Sequence, residues 1–321
     1  MQRLLMGTAL LALALVCAAP EALAGGYRAP RTPWGAPNLQ GEWTNYSLTH
    51  LERPPGVPAV VTNRADIPAI EKVLYDHILP ADPLGSRESE WWGEAHMAVI
   101  DGQMRTGWIT STPDGRIPYS AEGKRRLDAW RAAAFANFDG PESRNSSERC
   151  LTPSFSTGSP PYLNAPYAAN YQIVQTRDAV VLVSEIDGEV KIIRLNASHG
   201  PADRRVWNGD SIGHWDGDTL VVQTEGFHEA EAFRAPVFYI PADAKVTERF
   251  TRVSPTEIRY AFSVDDPVAY TQVWTGEMAF HTSHERIFEY ACHEGNYSLA
   301  GLLEGARYVE RGAKAGKPPA P

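Results

Sequence analysis

Cysteine is scarce, with three in 321 residues. One of them, Cys17, lies in a leading apolar segment, so Cys150 and Cys292 remain, too few for a disulfide scaffold; a chain this long buries a core without one. Cations are also short: 30 Lys and Arg stand against 39 Asp and Glu, a net charge of −9, which argues against nucleic acid as a partner. Past the first 24 residues no apolar run is long enough to cross a bilayer, so no stable membrane insertion is expected once that segment is removed. Glycine and proline are scattered rather than tandem, which excludes collagen-like and low-complexity chains. The Gly-x-Ser-x-Gly elbow, the phosphate loop, the Gly-x-Gly-x-x-Gly turn and His-Glu-x-x-His are all missing. Serine hydrolase, kinase, dinucleotide enzyme and zincin chemistry are therefore disfavoured.

The chain opens with Arg3, an apolar run over residues 4–19, and small residues Ala22 and Ala24 at the minus-three and minus-one places of a cleavage site. This reads as a signal peptide over residues 1–24, and hence as export. In an oxidising compartment the two remaining cysteines suggest a Cys150–Cys292 disulfide, linking an irregular segment to a late strand; two separate buried thiols are the alternative.

Residues 25–164 read as an irregular Pro-, Gly- and Trp-rich arm with a short strand near 40–44 and two helices. The first spans 66–77, with Asp66 as its cap and Pro80 as its stop. The second spans 120–135, with Leu127, Trp130, Ala134 and Phe135 on one face. From residue 170 the periodicity changes to two. Runs at 171–176, 179–185, 189–195, 211–215, 219–224, 245–253, 257–265, 270–280 and 286–293 are separated by turn pairs such as Arg177-Asp178 and Asp216-Gly217. In 257–265 Ile258, Tyr260, Phe262 and Val264 alternate cleanly with polar residues. The expected fold is mainly β: an antiparallel meander over 165–310 closing into a barrel-like, lipocalin-like or strongly curled sheet. The arm covers it as part of one domain, and a flexible tail occupies 311–321.

Segments such as TPWGAPNLQGEWTN (32–45), GHWDGDTLVVQT (213–224), ERFTRVSP (248–255) and FEYACHEGNYSLAGLLEGAR (288–307) resemble a large family of secreted bacterial proteins without an assigned activity. The resemblance covers essentially the whole mature chain and implies a bacterial protein that is periplasmic or secreted. The sequence departs from the family pattern at Glu185-Ile186-Asp187-Gly188, where a His-Asp pair is usual.

Chemistry-bearing residues concentrate near the predicted strand ends. In 289–297, period two places Glu289, Ala291 and His293 on one face and Tyr290, Cys292 and Glu294 on the other. His293 is the candidate base, Glu289 or Glu294 its orienting carboxylate, and Tyr290 and Asn296 the substrate hydrogen-bond donors. The bland alternative has His293 and Glu294 completing the turn at Gly295. Asp265 with Asp266 is either a carboxylate pair or a turn cap before Pro267. Asp265, Tyr270, Trp274 and His199 are candidate substrate contacts. A metal set of His281, His284 and His293, with His228 or Glu285 as fourth ligand, is weighed and not adopted. No cofactor is expected. Most aromatics of the β region must be core, with a cavity for a small hydrophobic molecule as their second use. Two functions follow: an exported acid/base enzyme of lyase or isomerase type acting on such a molecule, or a non-catalytic carrier of one.

Overall fold

The structure, a computed structural model, describes residues 27–78, 95–134, 136–152, 158–164, 168–231, 233–234 and 238–314. The expected signal peptide, Pro80 and Phe135 lie outside them. The arm holds β1 (Gly41–Thr44), β2 (Val60–Val61), β3 (Val99–Ile100) and β4 (Gln103–Arg105), with helices α1 (Ile67–Ile78) and α2 (Ala121–Ala134). Then come β5 (Asn170–Gln175), β6 (Ala179–Ser184), β7 (Val190–Leu195), β8 (Asp210–Asp216) and β9 (Thr219–Glu225). A small β10 (Phe233–Arg234) and β11 (Phe238–Tyr239) precede the long β12 (Lys245–Ser254), β13 (Glu257–Asp265) and β14 (Trp274–Thr282). Helices α3 (Cys292–Gly295) and α4 (Tyr297–Lys314) follow.

The mainly β expectation holds. Nine strands close a barrel in the order β1-β14-β13-β12-β9-β8-β7-β6-β5, and β5 returns to β1. Strand directions around a closed ring of nine cannot all alternate, so one neighbouring pair must be parallel. That pair is β7 and β8, where Arg194 lies opposite Ile212 and Leu195 opposite Gly213; a purely antiparallel meander is corrected to this extent. The seam between β1 and β14 has only two rungs, Trp43 with Thr282 and Thr44 with His281. The arm completes it. Thr110 N donates to Thr275 O at 2.9 Å, and Glu277 N to Trp108 O at 2.9 Å, so the edge that β1 leaves open is satisfied by residues 108–110.

Period-two alternation decides what enters the barrel. Tyr171 and Ile173 of β5, Val180 and Leu182 of β6, Leu220 and Val222 of β9, and Val246 and Phe250 of β12 are all buried. So are Ile258, Tyr260, Phe262 and Val264 of β13, and Trp274, Met278 and Phe280 of β14. Burying one such large side chain contributes about 1.5–3 kcal/mol. The rings meet edge to face, Tyr171 on Phe280 at 5.1 Å and Phe262 on Trp274 at 5.7 Å, the geometry their quadrupoles favour. Gly276 makes room for this, since a Cβ there would stand 2.4 Å from the Phe262 ring. Residues 158–163 are buried as well, and Tyr162 enters among the rings, 5.5 Å from Tyr171. Tyr239, Tyr260, Phe262, Tyr270 and Trp274 are core, as most aromatics of the β region are expected to be, whereas Phe288 is exposed and Trp207 stacks on His228.

One charged pair lies inside. Lys191 of β7 and Glu248 of β12 form an ion pair with their side chains 3% and 0% exposed. Tyr260 Oη donates to the second carboxylate oxygen of Glu248 at 2.9 Å, and the backbone N–H of Tyr162 donates to Tyr260 Oη at 3.0 Å.

Three local expectations change. Asn63 rather than Asp66 caps the turn before α1, accepting from Ala65 N at 3.1 Å. Residues 286–291 form no strand and lead into α3. Helix α4 covers residues 311–314 of the stretch read as a tail, and Asn296 separates it from α3.

Candidate active site

Parallel neighbours cannot be joined by a tight hairpin, so the chain must cross back between them. Residues 196–209 make that return from β7 to β8 and carry His199. Asn196 N donates to Gly213 O at 2.8 Å, Val206 N to Gly226 O at 3.1 Å and His228 N to Val206 O at 2.8 Å. These bonds pin the return segment along β8 and the end of β9. Gly226 is required at this crossing: its φ is +72°, and a Cβ would stand 3.1 Å from the carbonyl oxygen of Arg204. Phe227 N reaches Ala242 O at 3.2 Å, bringing the turn before β12 to the same place.

Where these segments meet lies a cleft of about 200 Å³, lined among others by His199, Gly200, Arg204, Arg205, Asp210 and Glu225. Within its lining His199 Nδ1 lies 3.1 Å from Asp210 Oδ2. The same carboxylate accepts from Gly200 N at 3.0 Å, and Arg194 Nη2 lies 2.7 Å from both of its oxygens. Partial burial pushes the Asp210 carboxyl up, but the Gly200 N–H, the His199 imidazole and the Arg194 charge together outweigh it and hold it below its ordinary range. An ionised Asp210 fixes the proton on Nδ1 and leaves Nε2 as the acceptor of the ring. His199 and Asp210 side chains are 20% and 25% exposed, so the pair is partly shielded yet reachable.

The residues singled out from sequence disperse. Glu289, Tyr290 and Asn296 line a different, wider cleft of about 470 Å³ beside Ser147, Glu148 and Cys292. His293 and Glu294 are exposed on α3 and do not line it. The two-face arrangement of 289–294 fails because these residues have no strand partner. Asn296 Nδ2 donates to Glu148 O at 2.8 Å and to Cys150 Sγ at 3.3 Å, so its amide secures the chain. Tyr290 packs against the small cluster of Ala169 and Ile186. Cys150 and Cys292 are joined as a disulfide with Cα atoms 5.8 Å apart; the late segment it anchors is a short helix rather than a strand.

Asp265 is exposed at the end of β13, opposite Lys245. Asp266 is the turn cap, its Oδ1 accepting from Val268 N at 2.9 Å and Ala269 N at 2.7 Å. Tyr270 and Trp274 are core residues, with Tyr270 Oη donating to Tyr239 O. His281 sits in β14 opposite Glu257, not in a turn, and burial lowers its pKa. His284 and His293 are exposed. Among the described residues no group of three or more His, Cys, Asp and Glu side chains is placed to hold a metal.

Of the sequence candidates, His199 alone stands in a charged cleft with an orienting carboxylate. Sequence pattern does not single out Asp210, which holds it, Arg194, which pairs with that carboxylate, or Arg204, which lines the same cleft, because Asn208-Gly209 marks only a turn before Asp210. The spacing of a histidine and an aspartate flanking one loop was the available signal. Among the described residues no helix is long and apolar enough to cross a membrane. No protein-family model matches the chain, and no curated protein matches it in sequence.

Proposed function

We propose that the protein is an exported acid/base enzyme of lyase or isomerase type whose working pair is His199 and Asp210. The observation that carries this reading is the 3.1 Å contact between His199 Nδ1 and Asp210 Oδ2 in the lining of a cleft. With Nδ1–H held by the carboxylate, Nε2 accepts a proton from a substrate carbon. The imidazolium so formed is stabilised by Asp210, and the proton is returned either to a neighbouring carbon, giving an isomer, or to a departing oxygen, giving elimination. The charged lining favours a small polar substrate over the hydrophobic one that the aromatic content had suggested, because those aromatics fill the barrel.

The test is proton exchange. The mature protein is incubated in D2O with a panel of small hydroxy and oxo compounds, and deuterium uptake at carbon is followed by mass spectrometry. Uptake by the wild type that His199→Gln abolishes is the expected result. Equal uptake by both proteins, or none by the wild type across the panel, overturns the reading.

A carrier of a hydrophobic molecule is the second reading. It draws on the wider cleft, where Tyr290, Leu299 and Leu302 present apolar surface. Displacement of a fluorescent apolar probe by Leu302→Glu, with no proton exchange in any protein, would select it.

A further inference from the structure

We infer that the His199 cleft recognises an oxyanion, a carboxylate or phosphate group carried by its small-molecule ligand, with Arg204 as the counter-charge. The inference rests on the acid/base reading for the role of the ligand as substrate, though not for the binding itself.

The argument is one of charge pairing within the cleft. Asp210 is matched by Arg194 and His199. Asp243 is matched by Arg205, whose other terminal nitrogen donates to Ala242 O at 2.7 Å. Glu225 lies 4.0 Å from Lys245 Nζ. Each carboxylate lining the cleft therefore has a cation already. Arg204 lines the same cleft, and its guanidinium makes no ion pair or hydrogen bond among the described residues. Asp203, beside it in sequence, does not line the cleft. The cleft thus keeps one uncompensated positive charge.

Placement matters as much as charge. A Cβ at Gly200 would stand 3.8 Å from Arg204 Cδ, 4.0 Å from Arg204 Nη1 and 4.0 Å from Asp210 Oδ2. The Arg204 fork and the carboxylate that orients His199 thus flank one glycine, and the absence of a side chain there keeps the space between them open. A guanidinium presents paired N–H donors that match two oxygens of a carboxylate or phosphate. An oxyanion seated on Arg204 would hold the rest of a small molecule beside His199. The other two arginines are tied by protein carboxylates, so Arg204 is the one available for this contact.

The test uses sodium phosphate and sodium acetate as probes, titrated into the full mature protein at constant ionic strength and read by calorimetry or by NMR shifts of the cleft residues. The wild type is expected to bind at least one probe with Kd of roughly 1–10 mM, the range one charge-assisted contact supports. Arg204→Ala should weaken that binding about tenfold or more, Arg204→Lys should restore part of it, and His199→Gln should leave it within about twofold. The tighter probe identifies the anionic group. Arg204→Ala binding as tightly as wild type overturns the proposal, as does no binding of either probe. Failure of the proton-exchange test alongside Arg204-dependent binding would remove the catalytic reading and leave the oxyanion site standing; intact exchange with Arg204-independent binding would do the reverse.

Discussion

Lys191 and Glu248 form an ion pair across the inside of the barrel, joining β7 to β12, two strands that are not neighbours in the sheet. The Lys191 ammonium also lies 5.1 Å from the centre of the Tyr162 ring, so the pair holds the buried 158–163 segment as well as the wall. Removing one partner leaves the other charged and buried. Glu248→Leu or Lys191→Met alone should therefore cost about 3–5 kcal/mol, while the double change Lys191→Met with Glu248→Leu should cost clearly less than the two added together. Urea denaturation of the four proteins reads this directly; additive losses would mean that the two side chains do not act as a pair.

Asp210→Asn keeps the shape of the cleft while removing the charge that holds the Nδ1 proton and stabilises imidazolium. Proton exchange should fall about 100-fold or more with little change in melting temperature. A loss of activity accompanied by unfolding would instead make Asp210 a structural tie for Arg194.

His50 provides a pH test away from the cleft. Burial drives its pKa down; the bond from Nε2–H to Leu74 O at 2.9 Å opposes this in part, and His77 adds to the lowering, leaving it at about 4 against an ordinary 6.5. Below pH 6.5 the unfolded chain takes up a proton that the folded chain refuses. The contribution to stability is therefore complete above that pH and declines as pH falls toward 4, by up to about 3 kcal/mol. Thermal melts at about pH 7 and about pH 4.5 should show a smaller acid loss in His50→Gln than in the wild type.

Helix α4 has no buried residue among those described. It is secured through the Cys150–Cys292 bond, the Asn296 amide and Arg307, whose Nη2 donates to Phe138 O at 2.7 Å. Cys150→Ser with Cys292→Ser should lower stability by about 2–4 kcal/mol. Limited proteolysis should then remove the segment after residue 286 while a β-type circular dichroism spectrum persists. Resistance of that segment to protease in the double variant would show that the noncovalent contacts suffice.

Gly123 meets the turn after β13 at close range: a Cβ would stand 2.1 Å from the carbonyl oxygen of Ala269, beside the bond from Ser120 N to Ala269 O at 2.8 Å. Gly123→Ala should displace the start of α2 and destabilise the protein by about 1–3 kcal/mol, despite the better helix propensity of alanine. An unchanged or raised melting temperature would place α2 further from this turn.

The local code was largely readable. Turn pairs such as Asp216-Gly217 and the alternation of Ile258, Tyr260, Phe262 and Val264 are set by interactions a few residues long, and the strands they imply are present within a residue or two. Glu248 stands in phase with the buried Val246 and Phe250 of β12. Its partner was not legible: in β7 Val190 and Ile192 face outward at 48% and 57% exposure while Lys191 faces in, so hydrophobicity pointed to the wrong face. Residues 286–293 alternate like a strand, but β1 and residues 108–110 already pair with the edge of β14, and a strand without a partner cannot satisfy its backbone. The parallel junction of β7 with β8 is likewise a property of ring closure rather than of either segment. By itself the sequence determined the strand and turn periodicity, the apolar faces and the candidate disulfide, because each depends on neighbouring residues or on composition. Only the tertiary structure decided that the barrel is filled and that His199 meets Asp210 and Arg194, because these contacts exist only once distant strands have closed into one ring.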